Sequence, residues 1–287
     1  MILPRHLHLL CILLITLLAY FSAAVQASAY VMGEDDRRPL TDREKWRYQS
    51  VGVIAAKWSL EDKLRRIGTA VIVSSAGGSH DIIVTTAHNF IHHLSGRPHG
   101  NEFYFLTNRG EVIRVLGATL GRSFSSTDAV TLSDATKDWA IALLETPISR
   151  EYGALGVGII DHAGLQRAHR SDRKIFAIGY DPADRSLRIS DKCSAFQLRL
   201  HIGIIHDCDT KPGWSGGPLV MIDAGKPWVI GISTLQVTEK RKRHRAFDPN
   251  RHYNVAAPID RALRDRIIEM GRTGRLRGDH VMRFFEK

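Results

Sequence analysis

Three short segments hold residue types that can together turn a hydroxyl into a nucleophile. They are Thr85-Thr86-Ala87-His88, Asp138 followed by the apolar run Trp139 to Leu144, and Pro212-Gly213-Trp214-Ser215-Gly216-Gly217-Pro218. A serine hydroxyl attacks poorly at neutral pH unless a base within hydrogen-bond reach takes its proton. His88 suits that task, because an unperturbed imidazole titrates near the working pH. A carboxylate, here Asp138, must then hold the ring in the right tautomer and stabilise the imidazolium. The glycines around Ser215 let the backbone bend tightly and aim amides at one point. The N–H groups of Gly213 and Ser215 would form the oxyanion hole. Losing one such donor typically costs about 2.7–4 kcal/mol of transition-state stabilisation.

Each segment alone is weak evidence, since a Thr-Ala-His commonly just ends a strand and an Asp before an apolar run often caps a turn. The chain order His, Asp, Ser is the informative part, because the same roles occur in other orders on unrelated folds. Read together, the segments resemble those of the chymotrypsin/trypsin-like serine protease family, in particular its secreted bacterial members. The resemblance runs from about Gly33 to Ile259 and includes Gly33-Glu34-Asp35-Asp36-Arg37, Gly68-Thr69-Ala70 and Asp207-Cys208-Asp209-Thr210. It implies an all-β chain of two six-stranded antiparallel β-barrels, with His88 and Asp138 on the first and Ser215 on the second. It implies peptide-bond hydrolysis through an acyl-enzyme, that is, a serine-type endopeptidase. Ser233 matches the serine that begins the substrate-aligning strand and lies close to the triad aspartate.

The chain departs from the animal pattern at three points. Trp214 replaces the aspartate that pairs with a freshly cut N-terminus and orders the oxyanion hole, so that switch is not expected here. Its indole either crowds the hole or points away into the second barrel. Cys208 lies seven residues before Ser215, and Lys211 stands where animal members have a cysteine. Leu235 stands where a glycine often opens the specificity pocket. Asp209 falls at the position that in trypsin-like members sits at the pocket base and selects Lys or Arg. Its alternative role is to cap the turn after Cys208.

The surrounding sequence supplies elements to position these groups. Short apolar, β-branched runs alternate with Gly, Asp, Pro and Ser clusters, the pattern of a barrel or sandwich. Strands are expected at 51–58, 67–74, 82–86, 102–107, 112–120 and 139–144, and again at 174–180, 187–190, 196–205, 218–222, 228–234 and 253–257. These divide into a first barrel over 51–160 and a second over 161–258. One helix is expected at Asp260 to Met270, after Pro258 and ending at Gly271, with a loosely held basic tail to residue 287. Trp58, Trp139 and Trp228 are expected in the core. Residues 30–50 read as an irregular lead-in, retained on the barrels or removed as a short propeptide.

The 287 residues are 44% hydrophobic and 24% charged, an ordinary globular balance. At the start, Arg5 precedes an apolar run from Leu9 to Phe21. That run is about 13 residues, short of the roughly 20 a spanning helix needs. Ala27-Ser28-Ala29 then fits a signal-peptidase site, so residues 1–29 read as a signal peptide and Tyr30 as the mature start. Export to the periplasm or the extracellular space follows, with no stable membrane insertion after cleavage. Cys11 leaves with the signal, and Cys193 and Cys208 remain as an even pair in an oxidising compartment. A disulfide closing that loop would contribute about 3 kcal/mol in the chain-entropy model.

The formal charge of +10 includes the run Lys240 to Arg245, read as a solvated loop. No aromatic residues interleave it, so no nucleic-acid partner is expected. His80, His92 and His93 lack matched ligand spacing, so no metal or other cofactor is expected. The expected partner is a peptide or protein substrate, acted on by a monomer. The competing reading is a weakly active or inactive protease-like binding module on the same fold, which Trp214 keeps open.

Overall fold

The computed structural model describes residues 31–92, 95–122, 132–171, 173–199, 202–238 and 246–284. The signal segment, His93 and the basic run 240–245 lie outside these residues. A lead-in strand β1 (Arg38–Pro39) and helix α1 (Asp42–Arg47) precede the first barrel. That barrel contains β2 (Val51–Lys57), β3 (Arg65–Val73), β4 (Ile82–Thr85), β5 (Glu102–Leu106), β6 (Val112–Leu120) and β7 (Ala140–Leu144). Helix α2 (Ser149–Tyr152), β8 (Gly156–Val157) and helix α3 (His162–Arg170) cross to the second half. There follow β9 (Ile175–Asp181), β10 (Ser186–Cys193), β11 (Ala195–Arg199), β12 (Gly203–His206), β13 (Pro218–Asp223), β14 (Lys226–Thr238) and β15 (His252–Pro258). Helix α4 (Arg261–Thr273) and β16 (His280–Arg283) end the described chain.

The first sheet runs β16-β6-β5-β2-β3-β4-β7, and β6 also pairs with β7, which closes six strands into a barrel. The second runs β1-β10-β9-β13-β14-β15-β12-β11. It curls around its own core, and Cys193 at the end of β10 is tied by a disulfide to Cys208 just past β12. This is the chymotrypsin-like double barrel, with the second barrel the more open one. The expected disulfide is present.

Packing explains why the strands read as continuous apolar runs rather than clean alternation, since many are covered on both faces. In β7, Ala140, Ala142 and Leu144 fill the first barrel, while Ile141 and Leu143 face outward. Those two join Val71, Val84, Phe176, Ile178, Val220 and Ile232 in a core between the barrels, which Leu263, Ile267 and Met270 of α4 cover. No helix among the described residues is long and apolar enough to cross a membrane.

Several expectations change. The run 196–205 is not one strand, because β11 and β12 pair antiparallel as a hairpin. Helix α4 continues past Gly271, whose missing side chain lets the helix sit against Ser75, and is capped at Gly274. The tail is not loose: β16 pairs with β6, and Phe284 stacks on Phe90. Trp58 is 52% exposed at the end of β2, so it is not a core residue. The lead-in is not irregular throughout. Thr41 accepts a hydrogen bond from the Glu44 amide, and the Glu44 carboxylate accepts one from the Thr41 amide, a capping box that starts α1.

Candidate active site

Strand register brings His88 and Asp138 together. Thr85, the last residue of β4, lies opposite Ala140, the first of β7, in an antiparallel pair. The chain leaves β4 into a tight turn over Ala87–Asn89 and enters β7 just after Asp138, at the same end of the barrel. The Asp138 carboxylate accepts from the His88 amide at 3.0 Å and lies 2.6 Å from His88 Nδ1. With Nδ1–H pointing at Asp138, Nε2 is left as the basic nitrogen. Burial disfavours the charged imidazolium, but the Asp138 charge and hydrogen bond outweigh it and hold the His88 pKa above its ordinary value.

Ser215 lies on the second barrel, in the turn between β12 and β13. Its carbonyl accepts from the Thr69 amide at 2.8 Å and from Asn89 Nδ2 at 2.9 Å. Asn89 is the residue after His88, so the Ser215 backbone is bonded to the turn that carries His88. The Thr69 hydroxyl donates to the Gly213 carbonyl at 2.7 Å and accepts from the Tyr180 amide at 2.8 Å. Thr85 Oγ1 donates to the Thr69 carbonyl and accepts from Asn89 Nδ2. Thr69, Thr85 and Asn89 therefore join the two barrels at the serine, a role not read from the sequence. Thr69 and Thr85 stand within the Gly68-Thr69-Ala70 and Thr85-Thr86-Ala87-His88 segments, but nothing local marks their partners.

The turn needs its glycines at two places. Gly213 has φ +98° and Gly216 φ +85°, conformations that strain residues with a Cβ. The Gly216 amide donates to the Ser233 carbonyl and the Ser233 amide donates to the Gly217 carbonyl, both at 2.8 Å. Ser233 thus lies against the serine turn, and its backbone braces it. Trp214 is 1% exposed and packs in the interior of the second barrel with Leu219, Ile230 and Ala256. The indole also lies against Gly179 of β9.

Asp209 does not line a substrate pocket. It is buried, and its two carboxylate oxygens accept from the amides of Met32 at 2.6 Å and Asp36 at 2.9 Å. A carboxylate so engaged does not face a substrate cation, and it does not cap its own turn. It clamps the lead-in. The Asp36 carboxylate accepts in turn from Ser190 Oγ and the Lys192 amide, and Arg37 donates to the Thr210 carbonyl. Burial, with the neighbouring Asp36 carboxylate, raises the Asp209 pKa to about 6 despite the two amides. Asp209→Ala is expected to leave residue preference at the scissile bond unchanged and to cost about 1–3 kcal/mol, the penalty for orphaned buried amides. Cleavage profiling on a peptide library and hydrogen exchange over residues 31–37 check the two halves.

Among the described residues no group of three or more His, Cys, Asp or Glu is placed to hold a metal ion. His80 lies against Gly274 and His92 against His99.

No protein-family model matches the sequence, and no curated protein is significantly similar to it. Solved structures do match. A Glu endopeptidase in complex with MPD superposes over 84% of this chain and 99% of its own, with TM-score 0.56 and 15% identity. A thermostable serine protease, AL20, from an extremophilic microorganism covers 79% of this chain and 99% of its own, with TM-score 0.53 and 16% identity. At such identities the likeness establishes the fold, which is the chymotrypsin-like one.

Proposed function

We propose that the chain is an exported serine endopeptidase in which Ser215 is the nucleophile, His88 the general base and Asp138 its orienting carboxylate. The observation that carries the reading is the 2.6 Å contact of His88 with Asp138, beside a glycine turn whose serine carbonyl is bonded to Thr69 and Asn89. In the reaction, His88 Nε2 takes the Ser215 proton as Oγ attacks the peptide carbonyl. The carbonyl oxygen gains negative charge and is met by the amides of Gly213 and Ser215. His88 then gives the proton to the leaving amine, and a water molecule, activated by the same imidazole, hydrolyses the acyl-enzyme.

The apolar N-terminal run and the Cys193–Cys208 disulfide support export, since disulfides persist in oxidising compartments. The lead-in from Val31 onward is retained in the working enzyme on this reading, because Asp36, Arg37 and Asp209 bind it to the loop that carries the serine. The inactive-module reading loses its main support with Trp214 inside the barrel.

A fluorophosphonate probe should leave one covalent adduct on the intact protein, mapped by mass spectrometry to Ser215. Folded protein that stays unlabelled from neutral to alkaline pH would sink the proposal.

A further inference from the structure

The loop that presents Gly213 needs an anchor, because its amide must point at the reacting oxygen before substrate arrives. With Trp214 in place of an aspartate, a cut N-terminus has no carboxylate there to pair with. The end of β9 offers three consecutive attachments instead. Gly179 lies under the Trp214 ring, where a Cβ would stand 2.2 Å from Cδ2. The Tyr180 amide donates to Thr69 Oγ1, which donates to the Gly213 carbonyl. The Asp181 carboxylate is ion-paired with Lys211 Nζ.

Lys211 opens the turn, and its carbonyl accepts from the Trp214 amide at 2.9 Å, so Gly213 sits inside the loop that Lys211 begins. The Asp181 side chain is 1% exposed, Lys211 is 21% exposed, and Arg188 Nη1 stands 3.6 Å from the same carboxylate oxygen that Lys211 meets. A buried carboxylate is costly without partners, so the pair resists separation. The Ala183 amide donates to the same carboxylate at 2.9 Å, which fixes its orientation.

We infer that the Lys211–Asp181 ion pair is the internal tether that holds the Gly213 turn in its oxyanion-binding shape, so that ordering the hole requires no cleavage of the chain. Lys211 and Asp181 are positioning residues: they act through Gly213 and do not touch substrate. The inference rests on the reading of Ser215 as nucleophile and adds how its oxyanion hole is kept ordered. Burial works against ionisation of Asp181, but Lys211, the Ala183 amide and Arg188 bring its pKa below the usual carboxylate range.

The test compares Lys211→Met, Lys211→Arg and Asp181→Asn in the full mature protein. For Lys211→Met and Asp181→Asn, kcat is expected to fall about 10–100-fold with KM within about threefold, up to the loss of one oxyanion donor. The inhibition constant of a peptidyl trifluoromethyl ketone, whose adduct places an oxyanion in the hole, should rise by the same factor as kcat/KM falls. Lys211→Arg should recover kcat to within about fivefold of the parent, since the charge is kept. Amide exchange over residues 211–217 should quicken at least about tenfold in Lys211→Met, with the first barrel unaffected.

A Lys211→Met protein with parental kcat overturns the inference, whatever its melting temperature. So does a rise in KM with kcat unchanged, or an arginine variant as impaired as the methionine one. If Lys211→Met does not fold, Asp181→Asn, which keeps the side-chain shape, decides by the same readouts. If the parent protein hydrolyses no peptide, the endopeptidase reading fails. The exchange measurement then still judges the tether, and unchanged protection over 211–217 overturns it.

Discussion

Ser215→Ala is expected to lower kcat by about a million-fold while leaving the fold and substrate affinity in place. The magnitude follows from the proposed unit of Ser215, His88 and Asp138. Without Oγ there is no nucleophile, and His88 has no proton to take, so the remaining catalysis comes from binding and the oxyanion amides alone. That residue of activity, roughly 10³–10⁴ over water, marks the floor. The fold should hold because the turn is built from backbone. Thr69 N–H and Asn89 Nδ2 bond the Ser215 carbonyl, and the Gly216 and Gly217 links to Ser233 do not use the hydroxyl. A change of this kind, away from packing and buried networks, usually stays within about 0.5 kcal/mol. Single-turnover kinetics with a chromogenic ester, together with a thermal melt, checks both halves. An alanine variant that turns over within tenfold of the parent would remove Ser215 from the chemistry.

What the sequence made legible divides by range. Ser215, His88 and the glycines stand out in the sequence because the requirements of their proposed roles are local: a tight turn, a base, a strand end. Asp138 stands before an apolar run that many turn caps also precede, and its meeting with His88 depends on the register of β4 against β7, which no stretch of residues states. The role of Asp209 as a clamp on the lead-in is non-local in the same way. Its partners, Met32 and Asp36, come from the far end of the chain, and the turn residues beside it carry no trace of them. The twelve apolar runs located the barrels, yet the 196–205 run hid a hairpin because both strands and the connection between them are apolar enough to read as one. Two short helices outside the expected set carry local signals. Thr41 with Glu44 is a capping-box spacing, and Asp161 with Leu165 and Ala168 is a cap followed by an apolar stripe. The return of the tail as β16 had no local signal, since its apolar residues are few and their partner, β6, lies on the first barrel.

The second large effect is expected for Asp138→Asn, which should lower kcat by about ten-thousand-fold and at the same time move the acid limb of kcat/KM to lower pH. Two opposed influences set the His88 pKa. Burial pushes it down, and the Asp138 charge and hydrogen bond push it up and win. The parent acid limb should therefore lie above the ordinary imidazole value of about 6.5. Asparagine removes the charge and leaves burial, so the limb should fall below that value. It also offers an N–H₂ or a neutral oxygen to Nδ1, and the tautomer with Nε2 free loses its support, which is why the rate drops even where the ring is neutral. The sign for stability runs the other way from the sign for rate. A His88 pKa raised by folding contributes stability that is full below the unfolded value and is lost as pH rises through the folded one. The parent should thus be stabilised at mildly acidic pH, where it is least active, relative to the asparagine variant. Urea midpoints of the two proteins at pH 5 and pH 9 test this: the gap between them should be wider at pH 5. A gap that is wider at pH 9, or an acid limb that stays put in the variant, would mean that Asp138 does not set the protonation of His88.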